Sequence, residues 1–294
     1  MLYMIRKYGL AILNMLMVIG ISQSANAITL LEPGFTETTV ASLPSETAFG
    51  SITTGATGDV FLTEGYGGEI TKVTPGGTVS NLLTIPGTSL ALQRIGNTLF
   101  AGNSSGQIYA IDLTNPAPTA TLLGTSSGEV NGLTQASAGF GAYGGDLIIA
   151  SQTGLSSMNI TTGALTGFSR SGTYSDVAFD GAGRLIAANN GAGIEQISDV
   201  GGLVGTILSG SGYDGLAISG ATGDIFAANP GGGGTITRID GTTFGSTVFA
   251  TGLLISGGYY PSGIGFSPDS SSLYFYERAG GINEPTVLMA LRPK

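Results

Sequence analysis

The chain has 294 residues, of which 41% are hydrophobic and only 10% charged, and its formal net charge is −9. An acidic surface poor in cations excludes nucleic acid and anionic membranes, both of which need clustered Lys and Arg. Cysteine, histidine and tryptophan are absent, which removes Ser-His-Asp hydrolysis and soft-metal chemistry and leaves a hard, oxygen-ligated ion such as calcium as the metal the composition permits.

The first residues read as an address. Arg6 and Lys7 precede an apolar stretch from Leu10 to Gly20, and Ser24-Ala-Asn-Ala27 follows with small residues at both key positions. That order is a secretory signal peptide. The stretch contains Asn14 and falls short of the roughly 20 residues a spanning helix needs, so cleavage is expected after Ala27. A chain of 28–294 then remains, secreted or periplasmic, with a charge of −11 and no membrane segment. That length suits one large all-β domain, which buries enough apolar area without disulfides.

From residue 58 a phrase recurs six times: a small polar turn, a short apolar strand and a polar end. The copies run Gly58 to Glu64, Gly96 to Asn103, Gly145 to Ser151, Gly183 to Asn189, Gly223 to Asn229 and Ser271 to Glu277. Their first apolar residues, Val60, Leu99, Leu147, Leu185, Ile225 and Leu273, lie 39, 48, 38, 40 and 48 residues apart. That period is the size of a four-stranded blade. A strand rich in small residues precedes each phrase, as in Gly215 to Ser219, where a crowded axis would demand it. A third strand follows, as in Thr235 to Ile239, and a fourth closes the unit, as in Ser246 to Ala250. The many glycines flank these strands and supply turns.

The two ends complement each other. Thr38 to Ser42 reads as a fourth strand with no blade before it, and Val287 to Leu291 as a third strand with no fourth after it. Joined, they close a ring and remove two open sheet edges. The expected fold is an all-β, six-bladed β-propeller; an open solenoid would have no use for such ends.

Aligning the first strands puts Phe49, Thr88, Asn131, Ser175, Asp214 and Ser262 in an inner ring at one mouth of the axis. Antiparallel return brings Glu64, Asn103, Ser151, Asn189, Asn229 and Glu277 to an outer ring at the same mouth. The ligand-binding candidates are Asn131, Asp176, Asp214 and Ser262, with the rim tyrosines Tyr259 and Tyr260. Turn capping is the plainer expectation for the outer ring. Glu64 and Glu277 become neighbours on closure and offer a carboxylate pair for acid–base work. Asn103 and Asn159 open glycosylation sequons.

The segments Tyr213 to Asn229, Tyr174 to Asn189 and Pro261 to Asp269 resemble repeats of six-bladed propellers related to the SMP-30/gluconolactonase and NHL families. The lactonase-type members hold calcium at the channel mouth with a Glu, Asn residues and an Asp. By that resemblance Asp214, in Asp214-Gly-Leu-Ala217, would be a calcium ligand and catalytic residue, and Asn131 a second ligand. Phe49 stands where the resemblance calls for the glutamate. Two functions follow as expectations: a secreted propeller that binds a small molecule, glycan or protein at its mouth or rim, or a calcium-dependent, lactonase-like hydrolase.

Overall fold

The computed structural model describes residues 28–43, 49–64, 67–230, 234–253, 263–278 and 286–294. The expected signal peptide lies outside them, as do Tyr259, Tyr260 and Ser262. Six antiparallel sheets surround an axis. The inner strands are Phe49–Thr54, Ser89–Ile95, Val130–Gln135, Tyr174–Phe179, Gly215–Ile218 and Ile264–Phe266, for blades 1 to 6 in order. Each inner strand packs on the next, and that of blade 6 packs on that of blade 1, so the ring is closed.

The recurring phrase forms the second strand of every blade. It is apolar up to its polar end because both of its faces are covered. In Leu147–Ser151, Leu147 and Ile149 join the core shared with blade 2, while Ile148 and Ala150 join the core shared with blade 4. The period-two alternation of a strand thereby feeds two cores from one segment. Among the described residues there are six such cores, one at each interface between neighbouring blades.

Closure follows the expected complementarity. The strand Phe35–Ser42 pairs antiparallel with Thr286–Pro293 and completes blade 6. Thr38 sits opposite Ala290 and Ser42 opposite Val287, with Val40 in a bulge between them. One element went unread in the sequence: Thr29–Leu30 adds a fifth strand to the outside of blade 5. Two residues are too few to register as a periodic pattern. Its neighbour Glu32 bonds Arg238 Nη1 at 2.7 Å and Thr247 Oγ1 at 2.9 Å, which anchors the segment beyond its two backbone pairs.

Candidate site at the channel mouth

Strand pairing defines which residues are equivalent around the axis. In blade 4, Tyr174 pairs with Asn189 and Asp176 with Ala188, leaving Ser175 as a bulge. Blade 3 repeats this with Val130, Gly132 and the bulged Asn131. In blade 5 the Asp214 amide donates to the Ala228 carbonyl, and Gly215 pairs with Ala228. Asn131, Ser175 and Asp214 therefore occupy one ring, as expected. Blades 1 and 2 differ from the expectation. Their bulges put Gly50 and Leu90 in that ring, not Phe49 and Thr88. A bulge sets two residues against one, so a gap-free alignment of short strands slips there.

The ring is laced by the blades' own polar groups. Asn131 Nδ2 donates to the Tyr174 carbonyl at 3.1 Å, and Ser175 Oγ to the Tyr213 carbonyl at 2.6 Å. Each side chain reaches the same backbone position in the next blade.

One step further into the axis lies a second ring: Ser51, Ala91, Gly132, Asp176, Gly215 and Gly263. Five of these residues are small; Asp176 is the exception. Its Oδ2 accepts the Leu216 amide of blade 5 and its Oδ1 the Val177 amide, both at 2.8 Å. On its other side lies Gly132, where an added Cβ would come within 2.5 Å of Asp176 Oδ1. The carboxylate thus spans three blades.

The axial cavity these strands enclose has a volume of about 100 Å³ and is lined by inner-strand residues of all six blades, Asp176, Asn131, Gln93, Thr53 and Thr134 among them. That is room for a few waters or one ion and falls below the 300 Å³ or so of a small-molecule pocket. Lys and Arg are absent from its lining among the described residues. Burial pushes the Asp176 carboxyl up to about 7; the Leu216 and Val177 amides draw it back, and the nearby charge of Asp214 raises it again. Burial alone pushes Asp214 up to about 6. Tyr276 of blade 6 is also close: burial raises its phenol, a hydrogen bond with the Gly263 backbone lowers it, and Asp214 raises it. Asp214, Asp176 and Asn131 are therefore gathered at one mouth.

The outer ring behaves as turn caps. Asn103 is fully buried, donates to the Pro86 carbonyl at 2.7 Å and accepts the Ser105 and Gln107 amides. Its sequon is closed by the fold. Ser151 Oγ accepts the Gly154 amide, and Asn189 Oδ1 accepts the Gly191 amide. The side chains of Phe49, Glu64 and Glu277 lie outside the described residues, so the proposed carboxylate pair does too.

Calcium needs six to eight oxygens. Both oxygens of Asp176 already accept backbone amides. No group of three His, Cys, Asp or Glu able to hold a metal occurs among the described residues. Among the described residues these donors do not by themselves make up a calcium shell.

A buried cluster just outside the ring corresponds to no pattern in the sequence. Tyr174, fully buried, donates its phenol to Glu195 Oε2 at 2.8 Å and accepts from Arg170 Nε. Arg170 also pairs with Glu195 at 3.5 Å. The three residues come from different strands of blades 3 and 4, so no linear motif joins them.

No family model matches the chain, and no curated protein matches it. Solved structures do. A streptogramin B lyase shares 14% identity over 88% of this chain and 98% of its own, with a TM-score of 0.63. Virginiamycin B lyase from Staphylococcus aureus shares 13% over 88% and 99%, with a TM-score of 0.60, and has also been solved as a catalytically inactive histidine-to-alanine variant with quinupristin. A Bacteroides thetaiotaomicron protein of unknown function shares 10% over 91% and 72%, with a TM-score of 0.63. At these identities the likeness is one of fold: the chain is a six-bladed β-propeller.

Proposed function

We propose that the chain is a secreted or periplasmic binding protein, and that the channel mouth around Asp214 and Asp176 receives an ammonium or hydroxyl-bearing group of a small ligand or glycan. The observation that carries this reading is Asp176, raised to about 7, in the lining of an axial cavity that offers no basic side chain among the described residues, with Asp214, raised to about 6, near enough for its charge to raise Asp176 further. Such carboxyls are poised to ionise when a cationic or hydrogen-bond-donating group arrives. The narrow axis keeps the body of any ligand outside, on the rim. Cleavage after Ala27 would leave Ile28, which packs into the core between blades 5 and 6.

Catalysis has less support. The lyase neighbour becomes inactive on losing a histidine, and this chain contains none. The lactonase-like alternative needs a calcium shell that the described residues do not supply.

The test is calorimetric titration of the mature protein with putrescine, glucose and calcium chloride at pH 5 and pH 8. Putrescine should bind more tightly at pH 8, where both carboxyls are ionised, and Asp214→Asn should remove that binding. A calcium response lost in Asp214→Asn would restore the hydrolase reading. If none of the three probes binds, the mouth is not the site.

A further inference from the structure

The face opposite the mouth carries a separate groove between blades 1 and 2, with a volume of about 320 Å³. Its apolar walls include Phe61, Leu82, Leu113 and Pro116. Its charged residues are Arg94, Lys72 and Asp59. Lys72 Nζ sits 3.1 Å from Asp59 Oδ2, so those two cancel.

Arg94 is different. It is half-buried at the far end of the blade 2 inner strand, and its guanidinium has no hydrogen bond or ion pair among the described residues. Arg170, Arg184 and Arg238 each rest on a carboxylate, and Arg292 donates to Ser272 Oγ. In a chain of net charge −9, acids are plentiful, yet none among the described residues meets Arg94. The result is one positive charge without a partner among the described residues, in a groove of mixed lining where Phe61, Leu82, Leu113 and Pro116 stand beside Thr57, Asn97 and Asn115.

The walls are already set. Asp112 Oδ1 accepts the Thr114 amide at 2.9 Å, Asn115 Oδ1 the Ala117 amide at 3.0 Å, and the Leu113 amide donates to the Asn97 carbonyl at 2.9 Å. A loop held by its own turns loses little entropy when a ligand arrives. The volume lies at the small end of ligand pockets. A planar guanidinium in a groove that also presents an apolar wall matches a carboxylate on a compact apolar body.

We propose that this groove is a binding site for small apolar monocarboxylates, with Arg94 holding the carboxylate and Phe61, Leu82 and Leu113 covering the body. The site is independent of the mouth.

The test titrates benzoate, phenylacetate and hexanoate into the mature protein, with benzyl alcohol as the uncharged control. The acids should bind, and benzyl alcohol should bind at least about tenfold more weakly, as loss of a charged hydrogen bond implies. Arg94→Met, which keeps the apolar stem, should weaken the acids by a similar factor, while Asp214→Asn should leave them unchanged. Amide NMR shifts on adding benzoate to the unaltered protein should centre on Asn97, Leu113 and Asn115, which keeps the proposal testable if Arg94→Met folds poorly. Failure of all three acids to bind, survival of binding in Arg94→Met, or shifts centred elsewhere would overturn it.

Discussion

The Asp176 carboxylate of blade 4 accepts the Leu216 amide of blade 5 at 2.8 Å, across 40 residues of sequence. A single side chain thereby ties two inner strands at the axis, and its protonation state is coupled to folding. The unfolded carboxyl titrates near 3.8 and the folded one near about 7. Between those values the folded state binds the proton more tightly, so its stability declines as pH rises through the window and levels off above it. Asp214, raised to about 6, adds to the same slope, as do Glu37 and Glu129, both raised by burial. Asp269, drawn down to about 2 mainly by the Ser267 hydroxyl, acts oppositely but only at lower pH. We expect the melting temperature to fall from pH 4.5 to pH 8, with Asp176 contributing at most about 1.4 kcal/mol per pH unit. Thermal melts across that range check it: Asp176→Asn should flatten the curve, and an equal slope in the variant would refute the assignment.

Gly132 is required by the same contact. A Cβ there would stand 2.5 Å from Asp176 Oδ1 and 2.7 Å from its Cα, and the backbone atom has nowhere to go. Gly132→Ala should destabilise by about 1–3 kcal/mol, the usual range for overpacking. At Gly139 nothing lies within 4 Å of an added Cβ, so Gly139→Ala should change stability by less than about 0.5 kcal/mol. Chemical denaturation of the two variants side by side distinguishes an axial packing constraint from a general need for glycine.

The phenol of Tyr174 stands between Arg170 and Glu195. Glu195 is only 3% exposed, so removing the phenol leaves one buried carboxylate oxygen short of a donor. Tyr174→Phe should therefore lose about 1–3 kcal/mol although it preserves nearly all the buried volume. Urea midpoints at pH 7 measure this. An unchanged midpoint would mean that Arg170 or Asn189 takes over the bond; Asn189 Nδ2 already lies 3.3 Å from the same oxygen.

Removing residues 28–43 tests closure. The last blade would lose its outer strand and expose the edge of Thr286–Pro293. Open edges of apolar sheets associate. Light scattering should show oligomers or aggregates where residues 28–294 stay dispersed, and a cooperative melt should disappear. A monomeric, cooperatively melting truncated chain would show that the clasp is dispensable.

Much of this was legible in the residues, for a physical reason. A strand covered on both faces must be apolar along its length, so each second strand announced itself, from Val60 to Leu273. The complementary ends were legible too, because Val287 to Leu291 lacked a partner and Thr38 to Ser42 supplied one. The register of the inner strands was less so. Sequence spacing alone puts Asn131, Ser175 and Asp214 in register, but it points to Phe49 and Thr88 where the folded ring holds Gly50 and Leu90, since bulges change pairing without changing composition.

The sequence by itself determined the number of blades, the all-β architecture and the way the ring is latched, because burial periodicity and unpaired edges are local properties of the chain. The tertiary structure alone decided that Asp176 lies against Gly132 and Leu216, that Tyr174 bridges Arg170 and Glu195, and that Arg94 lines a groove without a carboxylate bonded to it among the described residues. Those neighbours come from different strands, most of them in different blades, and only the folded ring brings them together.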